Sequence, residues 1–179
     1  MTNLRPVTNL SISTLTSLKQ IKAEEWNRIS DSGNPFMRYE FLYALESSTC
    51  TSEENGWKPN HILVWDADRL IGVMPAYLKT HSYGEYVFDW TWADAYQRYQ
   101  LDYYPKLLNA IPFTPSVGPR ICFLAEYQTD DIYALLLHAL INYLSKHNIA
   151  SWHCLFPESL AYDALDKAIS SNACQLIKR

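Results

Sequence analysis

The spacing of apolar residues along the chain changes near residue 60, and this change separates predicted helices from predicted strands. Before that point apolar side chains recur every three or four positions, which is typical of helices. Ser17 and Gln20 fit a capping box, which predicts a first helix that begins there and ends at Gly33–Pro35. A second helix is predicted over Met37–Ser48, and a short strand precedes both at Ser11–Leu15.

Beyond residue 60 apolar and polar residues alternate, which predicts β-strands. Two such runs, His61–Asp66 and Leu70–Lys79, are separated by a short turn. Pro75 falls inside the second run and cannot donate a hydrogen bond to a ladder, so it marks a bulge or a sheet edge.

The rest of the chain mixes further helices and strands. The predicted elements are two short strands within Lys106–Leu124, a helix over Asp130–His147, a strand over Ser151–Phe156, a helix near Glu158–Ser170 and a final strand over Cys174–Arg179. Hairpins in the middle and a β–α–β crossover near the end indicate an α/β (α+β) fold, with a mixed, mostly antiparallel sheet flanked by helices. No linker or repeat divides the chain, so a single domain over residues 1–179 is expected.

Composition narrows the function classes. Apolar residues make up 48% of the chain and the net charge is −4, which fits a globular protein and argues against a dedicated DNA-binding protein, although an RNA-linked substrate stays open. No apolar run is long enough to span a membrane, and the start of the chain lacks a signal-peptide pattern. The four cysteines lie far apart, which favours buried thiols and a cytoplasmic location.

The segment His81–Tyr96 combines aromatic and acidic residues. Six of its sixteen residues are aromatic. Tyr86, Phe88 and Trp90 occupy alternate positions, which predicts an extended segment with these rings on the core face. A helix is expected to start near Trp92, where the apolar spacing returns to three or four.

The acids of this segment are candidates for catalysis. Glu85 and Asp89 would share the face opposite the rings, about 13 Å apart at roughly 3.3 Å per residue. Either could be the base that accepts a proton from an attacking amine, or both could be solvated strand residues. His81, at a strand end, could be a base, a ligand or a loop residue. The aromatic residues that could form a stacking wall for sugar, peptide or base, or belong to the core, are Trp90, Trp92, Tyr96 and Tyr99.

A basic pair could bind an anionic substrate group. Thr114–Arg120 contains two prolines and Gly118, which predicts a stiff exposed turn closed by Arg120. Lys106 precedes a nearby apolar run, and with Arg120 it could bind phosphate or a carboxylate; the alternative is a solvated surface loop. No histidine or cysteine spacing predicts a metal site, and no cofactor-binding residue can be assigned.

Long strings of this sequence resemble one bacterial family. The strings NPFMRYEFLYALESS, GWKPNHILV, YLKTHSYGEYVFDWTWADAY, YYPKLLNAIPFTPSVGPR and SWHCLF occur in order between Asn34 and Phe156. Together they resemble the FemAB-like acyltransferase branch of the GCN5-related N-acetyltransferase (GNAT) superfamily. The resemblance implies a GNAT-like fold and transfer of an acyl or aminoacyl group to an amine on a small molecule or a peptidoglycan precursor. It also implies acyl-CoA or aminoacyl-tRNA as donor, and a second acyltransferase-like half for which this chain is the first.

One feature departs from acetyl-CoA-using members of that superfamily. They carry a glycine-rich turn before a helix, which cradles pyrophosphate with backbone N–H groups. No two of the five glycines here are close enough for such a turn, and the predicted helix begins with Asp130 and Asp131. We therefore expect weak binding of acetyl-CoA. Two functions stay open: an acyltransferase with Glu85 and Asp89 in a cleft beside Thr114–Arg120, or a non-catalytic module that recognises a peptidoglycan precursor or a partner.

Overall fold

The computed structural model describes residues 4–30 and 33–171, which form a mixed α/β fold. Its helices are α1 Ala23–Ser30, α2 Tyr39–Ser47, α3 Trp90–Arg98, α4 Asp130–Lys146 and α5 Ser159–Ser171. Its strands are β1 Leu10–Leu15, β2 Trp57–Pro59, β3 His61–Asp66, β4 Arg69–Met74, β5 Tyr77–Lys79, β6 Lys106–Asn109, β7 Cys122–Phe123 and β8 Trp152–Cys154.

The strands form two four-stranded sheets rather than one. The first has the order β1-β3-β4-β7 and is antiparallel throughout. The second has the order β2-β5-β6-β8, in which β6 and β8 are parallel and the other pairs antiparallel. The predicted α+β class with mostly antiparallel pairing is therefore confirmed, and it is consistent with a GNAT-like fold.

Pro75 lies where the chain passes from the first sheet to the second. β4 ends at Met74 and β5 begins at Tyr77. Pro75 has no N–H to give to a ladder, and its carbonyl oxygen instead accepts a hydrogen bond from the side chain of Asn109 at 2.7 Å. This change of sheet sends β5 to pair with β6, where the candidate site lies.

The core fills the space between the first sheet and the helices. Residues on β3 and β4 such as Ile62, Val64 and Val73 are fully buried. Ile132 and Leu136 of α4 join the same cluster. In this part of the chain the apolar faces that the sequence predicted are therefore the ones that are buried.

Several predicted boundaries are confirmed. Ser17 and Gln20 form the predicted capping box, but it caps a 3-10 turn at Leu18–Gln20, and α1 begins only at Ala23. The long helix α4 and strand β8 occur where they were expected. The predicted final strand lies outside the described residues.

The prediction for the aromatic segment is wrong. Residues 80–89 form turns and bends instead of a strand, whereas the helix expected near Trp92 does form, as α3 from Trp90. Tyr86, Phe88 and Trp90 are exposed by 59%, 57% and 58%, so their rings are not in the core. Tyr86 adopts a φ of 61°, a left-handed conformation that interrupts strand alternation.

Candidate functional site

Two buried lysines face each other across β5 and β6. Lys79 ends β5, Lys106 begins β6, and the two residues are direct partners in the antiparallel pair. Neither is exposed to solvent. Like charges directly opposite on a ladder repel each other, and buried ammonium groups need counter-charges. The segment that connects the two strands supplies them.

Glu85 and Asp89 are those counter-charges. Lys106 Nζ donates to Glu85 Oε2 at 2.7 Å and also to Asp89 Oδ2. Glu85 Oε1 lies 3.9 Å from Lys79 Nζ. Both acids are nearly inaccessible, at 3% and 1% exposure. The expected separation of about 13 Å on a strand is therefore wrong, because the turns after β5 bring both acids to one ammonium group.

Lys79 has weaker contacts with the acids of the cluster than Lys106 has. Its ammonium donates to the carbonyl oxygen of Tyr83 at 3.1 Å and lies 3.8 Å from the ring centre of Trp57. Burial lowers the pKa of Lys79 to about 7, and the nearby charge of Lys106 acts in the same direction, while Glu85 opposes it. A lysine of this kind can exchange a proton near neutral pH.

The two acids are shifted in opposite directions. Burial raises the pKa of Glu85, although Lys106 and Lys79 both oppose this shift. Burial would also raise the pKa of Asp89, but the hydrogen bond and charge of Lys106 lower it overall. Glu85 Oε1 has no hydrogen-bond partner among the described residues. Asp89 is therefore the fixed anion of the cluster, while Glu85 and Lys79 are the groups able to share a proton.

A groove of about 430 Å³ lies beside this cluster. Its lining residues are Ala93, Asp94, Gln97, Gln100, Leu101, Asp102, Tyr103 and Tyr104. The ring centres of Tyr103 and Tyr104 lie 5.9 and 5.8 Å from Lys106 Nζ, so one layer of tyrosine separates the groove from the buried charges. Tyr103 also helps to lower the pKa of Asp89.

The predicted site residues are distributed around these two features. Lys106, Glu85 and Asp89 come together in the cluster. Tyr96 packs edge-on against the groove residue Tyr103 at 5.1 Å. His81 is half-buried, its Nδ1 accepts a hydrogen bond from the backbone N–H of Tyr83, and burial lowers its pKa. The two predicted stacking residues on α3, with exposed fractions of 58% and 38%, are Trp90 and Trp92.

Arg120 does not close an exposed turn as predicted. It is 1% exposed. Its guanidinium donates to the carbonyl oxygens of Leu155 at 2.8 Å, Pro119 at 3.0 Å and Ser116. These hydrogen bonds hold the loop in place from its buried side. The groove lies along α3 and residues 100–104 and not beside this loop.

Sequence reasoning did not assign Lys79, Tyr103, Tyr104 or Asp102 to the site. A signal for Lys79 is present: it stands two positions after Tyr77, so strand alternation points it inward with that buried residue. Charged residues at strand ends are usually solvated, so alternation alone does not mark Lys79 as buried.

A second buried pair of polar side chains, Glu46 and His61, lies elsewhere in the protein. Glu46 contacts His61 Nε2 at 2.9 Å and accepts hydrogen bonds from Ser17 Oγ at 2.8 Å and from the backbone N–H of Leu18. His61 Nδ1 in turn accepts the backbone N–H of Ala76 at 3.1 Å. Each polar atom of this pair has a partner, which is typical of a structural role.

The described residues form a mixed α/β fold that is consistent with a GNAT-like architecture. In a comparison with protein families, the FemAB-like family, described as peptidoglycan biosynthesis/recognition, matches residues 17–176. The chain belongs to this family, which implies a role in peptidoglycan biosynthesis or recognition. No curated protein and no solved structure matches the chain. No helix in the described part of the chain is long and apolar enough to cross a membrane.

Proposed function

We propose that this chain takes part in the transfer of an acyl or aminoacyl group to an amine of a peptidoglycan precursor. The groove binds the acceptor amine, and the cluster behind it takes up the proton that the amine loses. The observation that carries the proposal is the adjacency of the two features: an open groove with two acids lies one tyrosine layer from a buried cluster whose Lys79 has a pKa of about 7.

The groove suits an ammonium group. Asp94 and Asp102 are exposed groove residues, and Gln97 and Gln100 add hydrogen-bonding amides. Carboxylates at the rim attract a cationic acceptor and favour its binding over that of an anion. In the reaction the bound ammonium first loses one proton to the cluster and becomes the nucleophilic amine. The amine nitrogen then bonds to the acyl carbon, the leaving group departs from that carbon with its electron pair, and the nitrogen gives its second proton to the leaving group.

The cluster has the capacity to receive that proton. Asp89 is held as an anion, whereas Glu85 and Lys79 have pKa values shifted toward each other. Tyr103 lines the groove and helps to lower the pKa of Asp89. Tyr103 therefore offers a connection between a bound amine and the buried charges. In this proposal Glu85 and Lys79, rather than Asp89, carry the proton.

In this proposal the acyl donor is acyl-CoA or aminoacyl-tRNA, and a second acyltransferase-like half binds it. Acetyl-CoA is expected to bind this chain weakly, because α4 begins at Asp130, followed by Asp131, with no glycine-rich turn before it. The donor site is therefore assigned to the second half.

A recognition module without chemistry is the second candidate. The four charged residues of the cluster are 0–3% exposed, so no substrate atom reaches them directly in this conformation. In that case the groove binds the precursor amine, and the cluster only holds the turns between β5 and α3 in place.

Calorimetry tests the shared binding step. The probes are a UDP-linked muramyl pentapeptide with a free side-chain amine and the same compound with that amine acetylated. We expect the free amine to bind at least about tenfold more tightly, and we expect Asp94→Asn with Asp102→Asn to remove this preference. Asp163→Asn, an exposed acid on α5, is the matched control. Equal binding of the two compounds would reject the groove as an amine site.

A transfer assay then separates the two candidates. Labelled aminoacyl-tRNA and labelled acyl-CoA serve as donors, with the second half supplied. Loss of transfer by at least about 10²-fold in Glu85→Gln and Lys79→Met, with amine binding retained, supports the proton-accepting role. Undiminished transfer in both variants contradicts that role. Binding without transfer from either donor supports the recognition module.

A further inference from the structure

Two large aromatic rings stand exposed at the start of α3. Phe88 and Trp90 have ring centres 4.8 Å apart and planes inclined by 33°, so they form one broad apolar surface. Each is more than half exposed. Large apolar side chains that touch each other on the surface form an exposed apolar patch. Such patches often mark binding sites.

This aromatic pair continues into the groove along α3. Asp94 and Gln97 are four and seven positions after Trp90, and this spacing puts all three on one face of the helix. Asp94 and Gln97 line the groove. The aromatic surface therefore stands at the N-terminal end of a row of carboxylate and amide groups.

The rings are held outward by the buried cluster. Glu85 and Asp89, which flank Phe88 in sequence and precede Trp90, point inward and are anchored by Lys106. Tyr86 between them takes a left-handed backbone conformation, which a bulky residue adopts only when its surroundings require it. This arrangement fixes the aromatic surface before a ligand arrives, which reduces the entropy lost on binding.

We propose that Phe88 and Trp90, with Asp94 and Gln97, form a saccharide-binding subsite. The apolar C–H face of a pyranose ring stacks on the two aromatic rings, and its hydroxyl or N-acetyl groups hydrogen-bond to the carboxylate and the amide. The sugar class follows from the chemistry of the site, because it offers an apolar face beside polar acceptors and donors. A nucleotide would also stack, but its phosphates would meet Asp94 and Asp102.

This subsite deepens the proposed function, because the sugar and the amine would belong to one precursor. Three probes separate the two parts in calorimetry: a peptide-free disaccharide of N-acetylglucosamine and N-acetylmuramic acid, the free stem peptide with its amine, and the glycopeptide that combines them. The variants are Phe88→Ala and Trp90→Ala. Tyr99→Ala is the matched control, because Tyr99 is 79% exposed and does not line the groove.

We expect Trp90→Ala and Phe88→Ala each to weaken binding of the disaccharide and the glycopeptide about tenfold, and to leave the stem peptide and the Tyr99→Ala control unchanged. If the glycopeptide and the stem peptide bind equally and Trp90→Ala has no effect, the subsite is overturned and the amine site stays intact. Disaccharide binding that depends on Trp90, without any binding of the stem peptide, would support the subsite and overturn the amine site. No binding of any probe would overturn both.

Discussion

The protein buries two sites that contain carboxylates, and they differ in how completely their polar atoms are paired. Glu46 and His61 contact each other, and each has further partners drawn from Ser17 and the backbone. In the cluster of Lys79, Glu85, Asp89 and Lys106, one oxygen of Glu85 has no hydrogen-bond partner among the described residues.

The difference separates a structural site from one with chemical capacity. Hydrogen bonds to Glu46 outweigh its burial, so its pKa is lowered and its charge is fixed at neutral pH. Burial outweighs the counter-charges at Lys79, so its pKa falls to about 7 and its charge is not fixed. A buried group with incomplete pairing is the better suited of the two to exchange a proton.

Removing Lys106 should produce the largest loss of stability. Lys106→Met leaves Glu85 and Asp89 buried without their shared ammonium, and breaking a buried ion pair from one side costs about 3–5 kcal/mol. Denaturant unfolding measures the loss. Lys58→Met is the control, because Lys58 pairs with Glu53 at the surface and such pairs contribute about 0–1 kcal/mol. Equal losses in the two variants would mean that the cluster is not an ionic site in solution.

Removing the charge of Glu46 should have a smaller effect that depends on pH. Glu46→Gln weakens charge-assisted hydrogen bonds to Ser17, Leu18 and His61, at a cost of about 2 kcal/mol at neutral pH. The folded pKa of Glu46 is lowered from its ordinary value of 4.5, so its contribution is present above pH 4.5 and is lost as pH falls through the folded pKa. The stability difference between wild type and Glu46→Gln should therefore shrink in acid; a difference that grows in acid would contradict the assignment.

Lys79 should also make stability rise with pH, but in a higher pH window than Glu46 does. Its folded pKa of about 7 lies below the ordinary 10.5, so between these values the unfolded chain binds a proton that the folded protein does not. The free energy of unfolding should therefore rise with pH in this window, by at most about 1.4 kcal/mol per pH unit. Unfolding measured at several pH values tests this, and Lys79→Met should flatten the slope. Lys79→Met with Glu85→Gln controls for the neighbouring carboxyl. An identical slope in wild type and Lys79→Met would place the pKa of Lys79 near its ordinary value.

The sequence predicted the regular parts of the fold better than the candidate site. Strands β3 and β4 and helix α4 follow from local apolar periodicity, because the residues that define them are buried by the same core. The site depends on two residues opposite each other on different strands, Lys79 and Lys106, and no local pattern encodes that pairing. Their charge draws Glu85 and Asp89 inward and so reverses the faces that alternation predicted.

Phe88 provides the smallest and most direct test of that reversal. Strand alternation puts its ring in the core, where truncation to alanine costs about 3–5 kcal/mol. The structure leaves the ring 57% exposed, and surface substitutions usually change stability by less than about 0.5 kcal/mol. We therefore expect Phe88→Ala to unfold at nearly the wild-type denaturant concentration, while Leu108→Ala, at a fully buried position on β6, loses about 2–5 kcal/mol. A large loss in Phe88→Ala would return the ring to the core, turn Glu85 and Asp89 toward solvent, and remove both the buried cluster and the aromatic surface beside the groove.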